Sequence, residues 1–134
     1  MTYNVYTAEY HGARNHIALF VRPSHAESTA TSSDKCFHVI GTVFSGMEFE
    51  MRTRESPLVA PDHVTNTMVL IGTVEDGKMG AFEECCRSVP PPEPQVQLNG
   101  RPKDASKPLR RCRDWVREAI EKLKRDGVLV EDQA

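Results

Sequence analysis

At 134 residues and 15.0 kDa, the chain has enough sequence for one buried core and not for two, so residues 1–134 are read as a single domain. It is 39% apolar and 27% charged, with a formal net charge of −2, which argues against a nucleic-acid or anionic-membrane partner and against a disordered chain. No run reaches the roughly 20 apolar residues of a membrane span, and Met1–Tyr6 lacks the charged-then-apolar pattern of a secretory leader; the expected setting is cytoplasmic, with the four cysteines as thiols.

Residues 3–8 alternate and predict a first strand, 9–15 a turn, and His16-Ile17-Ala18-Leu19-Phe20-Val21 a buried strand ending at Pro23. Residues 24–35 have no apolar periodicity and predict a loop. Cys36–Phe44 is rich in β-formers, and after a Ser45-Gly46 turn Met47, Phe49 and Met51 alternate with Glu48, Glu50 and Arg52. The two runs predict an antiparallel hairpin with one buried face. Residues 55–66, with Pro57 and Pro61, predict a loop; 67–74 predict a strand and 78–88 a short helix with Met79, Phe82, Cys85 and Cys86 on one stripe. Val89-Pro90-Pro91-Pro92-Glu93-Pro94 must be extended, because proline denies helix to itself and to the residue before it.

The last helix is the most strongly marked. Ser106 is its expected cap, Pro108 suits its first turn, and Gly127 is its stop. Leu109, Cys112, Trp115, Val116, Ala119, Ile120 and Leu123 share a face, and Glu118–Lys122 and Glu121–Arg125 are expected i,i+4 pairs. Val128–Val130 then covers the helix end or adds a short strand. The fold class is therefore α+β, an antiparallel sheet with the C-terminal helix packed on one face.

Cys112 and His16 are the residues that suggest chemistry. A cysteine on an apolar helix face is most often a small core residue. Against that, Cys112 is expected about one turn inside a helix start, among Arg110, Arg111 and Arg113, and both features favour the ionised thiol. His16 opens an otherwise apolar strand. His38 lies in Phe37-His38-Val39-Ile40, where a charged imidazole is costly to bury without a partner. The register between strands 16–22 and 36–44 decides whether the two imidazoles meet, and sequence leaves it open. His11, His25 and His63 are expected to be solvated, and Asp114 is expected to pair with Arg117. Cys85-Cys86 are adjacent and no Cys-x-x-Cys occurs, so no metal site and no cofactor are expected.

The ordered set of His16 in His-Ile-Ala, His38 on the next strand and Cys112 in Cys-x-x-Trp-Val resembles the circularly permuted papain-like superfamily, in its lecithin:retinol acyltransferase-like branch. The chain is also similar to short fungal proteins with His-Trp-Ala near the start and Asn-Cys-x-x-Trp-Val near the end. Ile17 stands where those motifs have tryptophan, and Arg111 where they have asparagine. The resemblance implies a permuted papain-like fold in which Cys112 attacks, His16 takes the thiol proton and His38 orients His16, the usual division among nucleophile, base and orienter. Arg111 and Trp115 are the expected substrate-binding residues.

The expected activity is hydrolysis or transfer of an amide, ester or thioester acyl group on a small molecule or peptide, with a metabolite of a fungal biosynthetic pathway as plausible as a peptide. The alternatives are a non-catalytic binding module, using the pocket or the 90–94 proline segment, and a non-covalent isomerase or cyclase. Neither alternative needs a reactive thiol.

Overall fold

The computed structural model describes residues 2–11, 16–23, 33–55, 64, 67–97 and 99–131. Five strands, β1 (Thr2–Tyr10), β2 (His16–Pro23), β3 (Ser33–Thr42), β4 (Gly46–Glu55) and β5 (Val69–Glu75), form one sheet in the order β4-β3-β2-β1-β5, every neighbouring pair antiparallel. A single 3-10 turn, Asp76–Lys78, leads into helix α1 (Met79–Ser88), and α2 is Cys112–Arg125. This is the α+β arrangement that the apolar patterns imply. The turn expected at 9–15 begins later, because Glu9 and Tyr10 stay on the ladder opposite Ile17 and His16. β3 likewise begins at Ser33 rather than Cys36. The loops expected over 24–35 and 55–66 lie mostly outside the described residues, as do His25 and His63.

β2 lies at the centre of the sheet, and its alternation divides the core. Ile17, Leu19 and Val21 face the helices and join Val5, Phe37, Val39 and Val74 against Phe82, Trp115, Val116, Ala119 and Leu123. Phe37 and Phe82 meet edge-on at 5.1 Å, and the Phe49 and Trp115 rings at 5.8 Å. The other face buries a smaller cluster of Ala8, Tyr10, Ala18, Phe20 and Cys36.

The last helix does not begin at Ser106. Ser106 sits in a turn and bonds Asp104, and the helix has not begun at Arg110, whose amide donates to Gln95 Oε1 (2.5 Å) while its carbonyl accepts from Gln95 Nε2 (2.7 Å). The Gln95 side chain thus pairs with this main chain as a neighbouring strand would, and the helix nucleates only after it. Asp114, not Ser106, closes the start, its Oδ2 accepting from the Arg111 amide at 2.8 Å. A carboxylate in the first turn also complements the helix dipole. Cys112 is therefore the first helical residue rather than one turn inside.

At the far end Gly127 takes φ +72 and the amides of Val128 and Leu129 fold back onto the Leu123 carbonyl. Val130 then exchanges both main-chain bonds with Thr73, so the tail covers the helix end and also extends the sheet at β5. Neither expected i,i+4 pair forms among the described residues. Glu118 instead takes both oxygens to Arg110 (2.7 and 2.8 Å), and Lys122 reaches Ser88. The proline segment 90–94 is extended along the β3–β4 hairpin, bracketed by Met47 N–H donating to the Pro92 carbonyl and Gln95 N–H donating to that of Val43.

Candidate active site

An open cleft of about 1200 Å³ runs around the end of the sheet where β2 starts and β3 finishes. Its lining includes His16, His38, Glu50 and Arg52 from the strands, Ile40, Val43 and Phe44 from the end of β3 and its turn, and Arg111, Cys112, Arg113 and Asp114 from the start of α2. The structure thus brings His16, His38, Arg111 and Cys112 to one cleft. It does not bring Trp115, which is 0% exposed in the core and donates its indole N–H to the Val89 carbonyl at 3.1 Å. A substrate-binding role for Trp115 is thereby replaced by a packing role: three residues past the helix start, it belongs to the face turned onto the sheet.

The histidines meet. β2 and β3 pair with Leu19 opposite Phe37 and Phe20 opposite Cys36. Running that register one step further sets Ala18 opposite His38, and the small Ala18 side chain leaves the two imidazoles as diagonal neighbours on one face. His16 Nε2 lies 2.8 Å from His38 Nδ1, with the ring planes inclined at 65°. His38 is only 6% exposed, and its other nitrogen, Nε2, donates to Glu50 Oε1 at 2.8 Å. Glu50 stands directly opposite His38 on β4, and Arg52 Nη1 lies 3.9 Å from the same oxygen. The bond from His38, aided by the Arg52 guanidinium, holds the Glu50 carboxyl below the ordinary 4.5.

Alternation puts this row on the side of the sheet away from the helices, since Phe37, Val39, Phe49 and Met51 pack on the helix side. Cys112 packs against the helix-side core. The two sets meet at the rim. Arg113 Nη2 bonds Glu9 Oε1 at 2.8 Å, and Glu9 pairs with Ile17, one step from the terminal Tyr10–His16 pair. That ion pair ties the first turn of α2 to the end of the ladder where His16 sits. No hydrogen bond joins Cys112 to His16 among the described residues.

Residues 5–130 match the family model described as "Family of unknown function (DUF6540)". The chain belongs to DUF6540. No curated protein and no solved structure matches it.

The thiols of this DUF6540 chain fall into two kinds. Cys36, Cys85 and Cys86 are buried, and Cys112 is partly exposed. Burial pushes the Cys85 thiol up and the Cys86 thiol far up, and Asp126 raises Cys85 further. The arginines around Cys112 contribute less field than their number suggests, because Glu118 holds Arg110 and Glu9 holds Arg113. Arg111 has no carboxylate partner among the described residues and remains a cation on the cleft wall. The Cys112 and Arg113 amides have no hydrogen-bond acceptor among the described residues, as befits the first N–H groups of a helix. Asp114 pairs with Arg117 at 3.2 Å, as its spacing suggests. Among the described residues no group of His, Cys, Asp and Glu is arranged to hold a metal ion, and no helix is long and apolar enough to cross a membrane.

Glu50 carries no mark in the sequence beyond its place on the solvent side of an alternating strand. Its signal lies in the hairpin register: pairing Thr42 with Gly46 across the turn sets His38 opposite Glu50.

Proposed function

We propose that this DUF6540 chain is a small thiol-dependent enzyme of the acyl class, with a permuted papain-like arrangement of Cys112 as nucleophile and His16 as base. The observation that carries the reading is the Glu50–His38–His16 row ending at the rim of the cleft that Cys112 also lines. In the reaction His16 takes the Cys112 proton and Sγ forms a bond to the acyl carbon. The carbonyl pair moves onto oxygen, beside the Cys112 and Arg113 amides. Collapse of that oxyanion breaks the bond to the leaving amine, alcohol or thiol, which leaves with the proton from His16. Water or an acceptor molecule, deprotonated by His16, then cleaves the thioester and restores the thiol. Nucleophile–base contacts in empty sites are commonly long and tighten on substrate.

Arg111 and the apolar wall of Ile40, Val43 and Phe44 suit a substrate with an anionic group and an apolar part, from a small metabolite or a peptide. The setting that fits this reading is cytoplasmic, and no cofactor is needed.

The test is acylation by p-nitrophenyl acetate, read by intact mass and peptide mapping. A single acetyl adduct on Cys112, lost in Cys112→Ser and strongly slowed in His16→Ala, supports the proposal. No adduct on Cys112 in the wild-type protein overturns it.

A second reading is favoured by one observation: Cys112 and the histidine row approach the rim from opposite faces of the sheet, with no hydrogen bond between them. The cleft would then hold an anionic ligand on Arg111 without covalent chemistry. That reading requires binding to survive Cys112→Ser and to fail in Arg111→Ala.

A further inference from the structure

We propose that Glu50 is a positioning residue that acts through His38 to fix His16 as the Nε2–H tautomer, leaving the basic lone pair on His16 Nδ1. The inference rests on the acyl-enzyme reading and adds a residue to it.

Proton counting along the row carries the argument. An ionised carboxylate only accepts hydrogen bonds, so across the 2.8 Å contact His38 Nε2 must be the donor to Glu50. A neutral imidazole has one N–H, and His38 has spent its own on Glu50; its Nδ1 is then an acceptor. Across the next 2.8 Å contact His16 Nε2 must therefore donate. A neutral His16 that donates from Nε2 has its lone pair on Nδ1, the nitrogen not engaged with His38. With both imidazoles neutral, every assignment follows from the one group in the row that cannot donate.

The geometry around Glu50 keeps that group ionised and aimed. The Arg52 guanidinium stands 3.9 Å from the oxygen that His38 uses. The antiparallel register places Glu50 and His38 directly across from each other. Burial of His38 at 6% exposure leaves it little water to compete with the carboxylate. Without an acceptor at Glu50, the neutral His38 ring is free to carry its proton on Nδ1. It would then donate to His16 Nε2 and drive the His16 proton onto Nδ1, removing the lone pair that the reaction needs. Both proton arrangements satisfy the His16–His38 contact equally, and within the row Glu50 is the group that favours one over the other. Glu50, acting through His38 rather than on Cys112, thus decides whether the base is competent.

The experiment is long-range ¹H–¹⁵N NMR of the imidazole rings at about pH 8, above the ordinary imidazole range, on the wild type, Glu50→Ala and Glu50→Asp. Acetylation of Cys112 by p-nitrophenyl acetate is followed against pH in the same proteins. Both rings are expected to be Nε2–H in the wild type. Glu50→Ala should give mixed tautomers, an altered pH profile and acetylation slower by about tenfold, and Glu50→Asp should recover part of both signals. A wild-type His38 that carries its proton on Nδ1, or an Ala variant with unchanged tautomers and unchanged profile, overturns the inference. The wild-type spectrum alone can do so, whatever the stability of the variants. If the tautomers depend on Glu50 while wild-type Cys112 never acetylates, the acyl-enzyme reading fails and the proton order stands. If Cys112 acetylates but the tautomers ignore Glu50, the enzyme reading stands and this inference fails.

Discussion

Phe37 and Val39 point to one side of β3 and His38 to the other, and the two sides differ in kind. The helix side is a continuous apolar core in which each side chain is defined by volume. The far side near the cleft has two imidazoles, a carboxylate and a guanidinium in a row, each defined by its partner's protons and charge. A core tolerates changes that keep volume, whereas a proton row tolerates changes that keep the order of donors and acceptors. The same strand therefore obeys two rules on alternate residues.

Trp115→Ala should break the helix side most severely. It empties a wholly buried ring site and leaves the Val89 carbonyl without its indole partner, so a loss of about 3–5 kcal/mol is expected in urea unfolding. A loss under about 1 kcal/mol would mean that α2 is not seated on the sheet as described.

Gly41→Ala sits at the cleft end of β3. Gly41 has φ +130, and a Cβ there would meet the Gly46 carbonyl, so the hairpin must shift. A cost of about 1–3 kcal/mol is expected for this strained position, read from the same unfolding curves, together with altered ligand access beside Ile40 and Phe44.

His38→Gln separates the two sides more cleanly. Glutamine has both a donor for Glu50 and an acceptor for His16, so stability should fall by only about 1 kcal/mol. Acetylation of Cys112 should slow by about tenfold or more, because the base loses its ring partner. Equal labelling rates in the two proteins would remove His38 from the mechanism.

The smallest expected effect is on acid stability. The Glu50 carboxyl titrates below the ordinary 4.5 in the folded chain, chiefly through the bond from His38. A depressed folded value gives stability that is present above 4.5 and is lost as pH falls through the folded value. Glu50→Gln should therefore show a shallower fall in thermal midpoint below that pH, with little change at neutral pH. Identical acid limbs for the two proteins would contradict an ionised Glu50 bonded to His38.

The elements were legible where a pattern is local. Alternation in 47–54, the apolar run at 16–21, the proline segment and the Gly127 stop all depend on neighbours in sequence, and each appears in the structure. What sequence did not show depends on distant partners. Leu109 fits the helical stripe and Arg110 lies within the expected helix, yet the Gln95 side chain bonds the Arg110 main chain outside it, and no local pattern reports a side chain 15 residues away. Glu118 looked like half of a helix pair until Arg110, held out of the helix, could reach back to it. His16 and His38 were legible as polar residues in apolar strands. Their contact required the β2–β3 register, and Glu50 required the β3–β4 register. Arg111 lines the cleft, while Trp115 follows the apolar face into the core.

Reaction of the four thiols with iodoacetamide at about pH 6.5, in the wild type and in His16→Ala and read by peptide mass spectrometry, tests the central claim most directly. The account expects Cys112 to label far faster than Cys36, Cys85 or Cys86, which burial protects, and to slow markedly when His16 is removed. Exposure alone would give the first result but not the second, so the His16 dependence decides the matter. Cys112→Ser should abolish the label with little change in thermal midpoint. If Cys112 stays unlabelled in the folded protein, or labels at the same rate without His16, the thiol and the histidine do not form a catalytic pair. The cleft would then be a binding site only.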